Sequence, residues 1–262
     1  MINKKYDKLI NNFILINEKG WNKSVCNDTG GVGLTFEKLL EKKADSMFFP
    51  DYYGTEIKCT TRFSGYPISL FSKSFDGPLL YGMNRILEKY GKNDRKYYNR
   101  KLLNVDLKIN EKVLVNNKYF FELKLDYKQE KIFLLVYDKD GNLLENDVYV
   151  DFNTLKTHLQ VKLSSLAVVY ASKKVIDEKD YFRYYKMTIY ELISAEKIIR
   201  LLEQNEIIIS LIGRVSRSGV AEGRQRNKGL LFKIPKENIN KLFKEIVTYD
   251  LDKMKYSCDN VF

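Results

Sequence analysis

A mixed fold of helices and strands, α/β or α+β, is what this sequence predicts, and three observations carry the expectation. Apolar residues recur at helical spacing in some stretches and alternate with period two in others, and the two kinds of stretch are interspersed along the chain. No internal repeat and no low-complexity linker divides them.

The elements follow in order. Tyr6, Leu9, Ile10, Phe13 and Ile14 share one helical stripe that ends near Lys19 and Gly20. The glycine-rich stretch 29–33 reads as a turn, after which Phe36, Leu39 and Leu40 mark the buried side of a second helix with Glu37 on another face. Pro50 to Gly54 reads as a turn into a short strand at 55–59. Leu79, Met83, Ile86, Leu87 and Tyr90 predict a helix closed by Gly91. Strands are expected at 119–125, 132–137 and 166–170, with a turn at 140–142 and a helix at 153–163 between the last two strands. Tyr181, Tyr185 and Met187 mark a strand, 191–202 a helix and 207–215 a long apolar strand. A basic loop leads to a strand at 230–234, and Pro235 is placed at the N1 position of a last helix. The polar, basic stretch 92–101 is a candidate boundary, but the chain reads as one unit with two lobes.

Bulk properties narrow the function. The 262 residues can bury a full core, and 44% hydrophobic with 13% aromatic residues lies far from the signature of disorder. Forty-five basic against 34 acidic residues leave a formal charge of +11, which fits a polyanionic partner. The coding bias behind a chain rich in Lys, Asn, Ile and Tyr produces the same excess, so charge alone does not decide. Cys26, Cys59 and Cys258 form no close pair of the kind that zinc or redox motifs need, which fits a reducing cytoplasm. The N-terminal stretch is broken by Asp7, Asn11 and Asn12 and is no signal peptide, and no apolar run approaches a membrane span.

The most informative stretch is Pro50-Asp51 followed, after four residues, by Glu56-Ile57-Lys58. Residues two apart on a strand point to one face, so Glu56 and Lys58 project together while Ile57 and Cys59 point the other way. The turn at Gly54 can bring Asp51 back beside Glu56. Two carboxylates and an ammonium then converge, as metal-assisted phosphodiester hydrolysis requires. Asp51 and Glu56 would hold a hard cation, with the backbone carbonyl of Ile57 as an extra oxygen ligand. Lys58 would orient the attacking water or bind the phosphate. Glu37 is a third carboxylate within reach. The bland alternative is a turn aspartate and the solvated face of an edge strand.

The stretch 30–40 with Glu37, together with Phe49-Pro50-Asp51 and Glu56-Ile57-Lys58, resembles the MvaI/BcnI family of type II restriction endonucleases, relatives of the nicking enzyme MutH. The likeness continues through 70–74, 90–92 and 232–234. It implies a PD-(D/E)xK nuclease fold, a mixed central sheet flanked by helices with a smaller DNA-recognition lobe. It also implies a catalytic set of Asp51, Glu56, Lys58 and Glu37, magnesium as cofactor, a monomer acting on double-stranded DNA, and a DNA methyltransferase as a candidate genetic partner. Lys73 lies in a matching segment and is carried as a DNA-binding candidate.

Between two apolar strands, 213–229 reads as a flexible, donor-rich hairpin loop. Its Arg214, Arg217, Arg224, Gln225, Arg226, Asn227 and Lys228 are the candidates for reading bases, because arginine bonds guanine and Gln or Asn bonds adenine in the major groove. The sole histidine, His158, lies far from this loop and is expected to be structural. The expectation is a magnesium-dependent double-strand endonuclease leaving 5′ phosphate and 3′ hydroxyl ends. The rivals are a strand-specific nickase like MutH and a catalytically silent DNA-binding protein.

Overall fold

The structure, a computed structural model, describes residues 4–26, 30–41, 49–61, 65–78, 82–217 and 219–253. Of the residues read above, Thr29, Leu79, Ser218 and Cys258 lie outside that set. The chain begins with α1 (Asp7–Glu18), β1 (Asn22–Lys23), α2 (Gly31–Leu39), β2 (Glu56–Thr61) and β3 (Ile68–Lys73). Next come α3 (Gly82–Tyr90), β4 (Lys92–Asn93), β5 (Lys101–Leu107), β6 (Val113–Val115), β7 (Tyr119–Asp126), β8 (Lys131–Tyr137) and β9 (Leu143–Asp151). The rest is α4 (Phe152–Leu163), β10 (Ser165–Ile176), β11 (Lys179–Leu192), α5 (Lys197–Glu203), β12 (Ile208–Val215), β13 (Gln225–Ile234), α6 (Ile239–Leu242) and β14 (Phe243–Asp250).

These elements form two compact units, each assembled from separated stretches of chain. The first comprises 1–66, 160–194 and 240–262. Its sheet runs β1-β11-β10-β2, with β14 also on β11. The β10 and β2 strands are parallel and the other pairs antiparallel, so the sheet is mixed, as expected. One face is covered by Leu9, Ile10, Phe13 and Ile16 of α1 and by Phe36 of α2, packed on Ile57, Ala167, Val169, Tyr184 and Ile189. Gly31 opens α2 where a side chain would collide, since a Cβ there would lie 2.6 Å from Ser24 Oγ. Gly31 to Gly33 thus form the first turn of the helix, with Gly30 as its N-cap, rather than a preceding loop.

The second unit, 67–159 and 195–239, holds two antiparallel sheets in the orders β3-β13-β12-β5-β4 and β6-β7-β8-β9. In β8 the buried residues Ile132, Leu134 and Val136 alternate with partly exposed ones, the period-two pattern of a sheet with one face in the core. Met83, Ile86 and Leu87 bury the apolar stripe of α3, and Leu87 packs so close to Gly213 that a Cβ there would lie 2.6 Å from Leu87 Cδ1. The stretch 92–101 lies inside this unit, between paired strands.

Three expectations change. The predicted helix at 191–202 is shortened to Lys197–Glu203, because Glu191 and Leu192 pair with Lys244 and Phe243 of β14 and tertiary pairing overrides helix propensity. Pro235 precedes a 3-10 turn at Lys236–Asn238 instead of occupying N1 of the last helix, which spans Ile239–Leu242. The strand at 166–170 extends over twelve residues, and the strands β3, β5, β9 and β14 add to those expected.

Candidate active site

The first unit gathers the carboxylates and lysines around the start of β2. Tyr52 and Thr55 exchange backbone hydrogen bonds of 2.9 Å around Tyr53 and Gly54, both of positive φ, as in the mirror-image turns of tight hairpins. This turn folds Asp51 back along β2, where its Oδ2 accepts the Ile57 N–H at 3.1 Å. Helix α1 braces the turn from outside, with Asn12 donating to the Tyr52 hydroxyl at 2.7 Å and the Lys8 ammonium lying 4.2 Å over the Tyr53 ring.

Among the described residues β2 is the edge of its sheet. The N–H and C=O of one residue on an extended strand point to the same edge. Since the Ile57 N–H meets Asp51 there, the Ile57 carbonyl faces the same side, while its side chain is buried against α1 and α2.

Glu56 is 2% exposed. Its Oε1 accepts from Lys58 Nζ at 2.5 Å, and Lys162 Nζ stands 3.2 Å from Oε2. That second ammonium is placed outside hydrogen-bonding direction, and Oε2 has no hydrogen-bond donor among the described residues. Burial pushes the Cys59 thiol up, and the carboxylates of Glu37 and Asp51 push it further while Lys58 opposes them. Glu37 is half-buried on α2, and its carboxylate, like the charges of Asp51 and Lys58, is felt at Cys59.

Below this site lies a buried polar chain that the sequence did not reveal. Thr55 and Ser165 hydroxyls pair at 3.2 Å, Ser165 donates to the Tyr6 hydroxyl at 3.2 Å, and Tyr6 donates to Glu191 at 2.6 Å. The Tyr6 hydroxyl, helped by Lys5, holds the Glu191 carboxyl below its usual range. Lys162 was also missed. Its place depends on α4 running into β10 and on β10 lying parallel to β2 with Leu166 opposite Glu56, which no local pattern encodes.

Among the described residues no three His, Cys, Asp or Glu side chains form a complete metal cage. Magnesium needs fewer, because it takes oxygen ligands and keeps several waters. Asp51, Glu56 and the edge carbonyl of Ile57 supply oxygens of the kind such an ion takes, and the buried Oε2 of Glu56 has no hydrogen-bond donor among the described residues.

The second unit carries the recognition candidates. Instead of one flexible loop, β12 continues to Val215 and β13 begins at Gln225, leaving 216–224 as the loop. Arg217 grips Asp94 with both guanidinium nitrogens, and this pairing holds the Asp94 carboxyl down at about 2. Asp94, fully buried, also accepts the N–H groups of Lys96 and Tyr97. Gln225 exchanges hydrogen bonds with the Lys101 backbone, and Asn227 donates to Asn84. These three side chains shape the hairpin. Lys73 is committed to Asp76 at 2.6 Å and is only 10% exposed.

Arg214 and Arg226 stand directly opposite each other across β12 and β13, both exposed, and exposed Arg224 lies two residues before Arg226. None of the three has a counter-ion among the described residues. Like charges directly opposed on a strand pair repel, and a polyanion would relieve that repulsion. Lys228 lies on the same strand, with its side chain outside the described set. His158 packs in a tilted arrangement on Phe71, ring centroids 4.8 Å apart, as a structural residue would.

Comparison with known proteins places this arrangement. The model of the MvaI/BcnI restriction endonuclease family matches residues 10–243. A solved structure of restriction endonuclease MvaI with its cognate DNA substrate is 27% identical, with a TM-score of 0.86 over 94% of this chain and 100% of that one. A structure of MvaI in the absence of DNA is 28% identical, with a TM-score of 0.55 over 94% of this chain and 99% of that one. No curated protein matches the chain.

Proposed function

The chain belongs to the MvaI/BcnI restriction endonuclease family, and from that premise we propose that it is a magnesium-dependent, sequence-specific endonuclease that hydrolyses both strands of DNA to 5′ phosphate and 3′ hydroxyl ends. The observation that carries this is the convergence of the Asp51 carboxylate, the buried Glu56 carboxylate and the outward edge of Ile57, with Lys58 bonded to Glu56.

Asp51, Glu56 and the Ile57 carbonyl would hold the ion. Bound magnesium would polarise the phosphoryl oxygen and offset the charge that develops on it. Lys58 sits where it can donate to the attacking water or to a phosphate oxygen, and its ion pair with Glu56 fixes that position. Glu37 adds negative charge on the same end of the strand, which favours cation binding.

Arg214, Arg224 and Arg226 read or grip the DNA from the second unit. Arg217, Gln225 and Asn227 hold the hairpin in shape, and Lys73 is left out of that surface by its pairing with Asp76. With one constellation per chain, a monomer would cut the two strands in successive binding events. The MvaI structure that resembles this chain best of the two above is a complex with cognate DNA, which supports duplex DNA as the substrate. The test is digestion of unmethylated plasmids with magnesium as the only added metal, followed by sequencing of the ends. Discrete double-strand ends at one short sequence are expected. Ends in one strand only would replace this reading with a nickase, and no cleavage would overturn the enzymatic assignment.

A further inference from the structure

We propose that Lys162 is a built-in placeholder for the divalent cation, a positioning residue that neutralises Glu56 until the ion arrives and then gives way. The proposal rests on the metal-dependent reading above and concerns a residue outside the motif that identified the site.

Glu56 is 2% exposed, and a carboxylate so deeply buried is costly unless its charge is balanced. Two ammonium groups balance it from different elements. Lys58 is on the same strand face and makes a true hydrogen bond to Oε1. Lys162 comes from the last turn of α4, where a helix terminus favours positive charge, and reaches to 3.2 Å from Oε2 without donating to it. An ammonium near a buried oxygen, yet not bonded to it, neutralises charge while leaving the lone pairs open.

The charge count supports an exchange. Glu37, Asp51 and Glu56 contribute three negative charges and Lys58 and Lys162 two positive ones, so without an ion Lys162 brings the local set to within one charge of neutrality. A divalent ion entering beside Glu56 would meet Lys162 at close range and repel it. The flexible lysine stem and 18% exposure of Lys162 give its ammonium a route towards solvent. Cation binding and Lys162 contact with Glu56 are thus in competition.

The experiment uses the full chain without DNA and titrates calcium alone, by calorimetry and by thermal unfolding, for wild type, Lys162→Met, Lys162→Arg and Glu56→Gln. Removing a unit positive charge a few ångströms from a divalent ion should tighten calcium binding about tenfold, on near-aqueous screening. In EDTA the Lys162→Met protein should melt below wild type, and saturating calcium should remove the difference. Lys162→Arg, which keeps the charge, should bind calcium within about twofold of wild type. Unchanged or weaker calcium binding by Lys162→Met overturns the placeholder. If that variant does not fold, Lys162→Gln undergoes the same titration with the same criteria. The metal-site reading is judged separately: wild type should bind calcium and Glu56→Gln should not. Loss of that contrast overturns both ideas, whereas its presence with an unaltered Lys162→Met affinity overturns this one alone.

Discussion

The two units treat charge in opposite ways. In the first, the buried Glu56 sits between Lys58 and Lys162, and Asp51 accepts the Ile57 N–H. In the second, Arg214, Arg224 and Arg226 are exposed with no counter-ion among the described residues, while Arg217, Gln225 and Asn227 are tied into the scaffold. Hydrolysis needs fixed, desolvated groups whose fields are little screened. Reading a polyanion needs donors whose partners arrive with the ligand, held by neighbours that do not move. On the proposed function the contrast would separate cutting from reading, and it can be broken by experiment.

The largest expected effect is in the first unit. Glu56→Gln and Asp51→Asn should each slow cleavage by about 10³-fold or more while binding of the same duplex in calcium stays within a few-fold. Single-turnover cleavage alongside a binding isotherm measures both. Near-normal turnover in either variant would remove the assigned centre.

Next in size are the exposed arginines. A specific base contact is worth about 1 to 3 kcal/mol, so Arg226→Ala or Arg224→Ala should weaken binding to the cognate duplex by roughly ten- to a hundredfold and leave random duplex much less affected. Lysine at either position should rescue only in part, because an ammonium lacks the two-pronged geometry. An equal loss on both duplexes, with a shallower salt dependence, would assign these arginines to phosphates instead.

The Asp94 and Arg217 pair gives a smaller, structural effect. Because the folded Asp94 carboxyl is held at about 2, below its unfolded value, the stability it contributes is present above about pH 4 and lost as the pH falls towards 2. Amide exchange at 216–224 should rise over that window, and Asp94→Asn should raise it already at neutral pH. Exchange that is flat with pH would show that the loop is held by other contacts.

The smallest effect belongs to the buried hydroxyl chain. Tyr6→Phe removes the hydrogen bond to Glu191 and one partner of Ser165, which should cost about 1 to 2 kcal/mol in denaturant unfolding. Cleavage should change less than twofold, since Tyr6 touches none of the reacting groups. A loss of activity larger than the loss of stability would make Tyr6 part of the positioning of β2.

The spacing of Asp51, Glu56 and Lys58 is local, set by one tight turn and a strand of period two, and that is why it was legible in the sequence. The amphipathic stripes of α1, α2 and α3 were legible for the same reason, each being a repeat within a dozen residues. Lys162 was not, because it reaches Glu56 through a parallel strand pairing 110 positions apart, Leu166 on Glu56. Nor was the fate of the basic segment. Composition supplied its arginines, but only the pairing of β12 with β13, and the presence of Asp94 and Lys101 beside it, decided which donors are exposed and which are spent on holding the hairpin. Local repeats dictate which face of an element is apolar and which residues share it, whereas burial and the choice of partner are properties of chain segments brought together from far apart, and for those the tertiary structure is the only source.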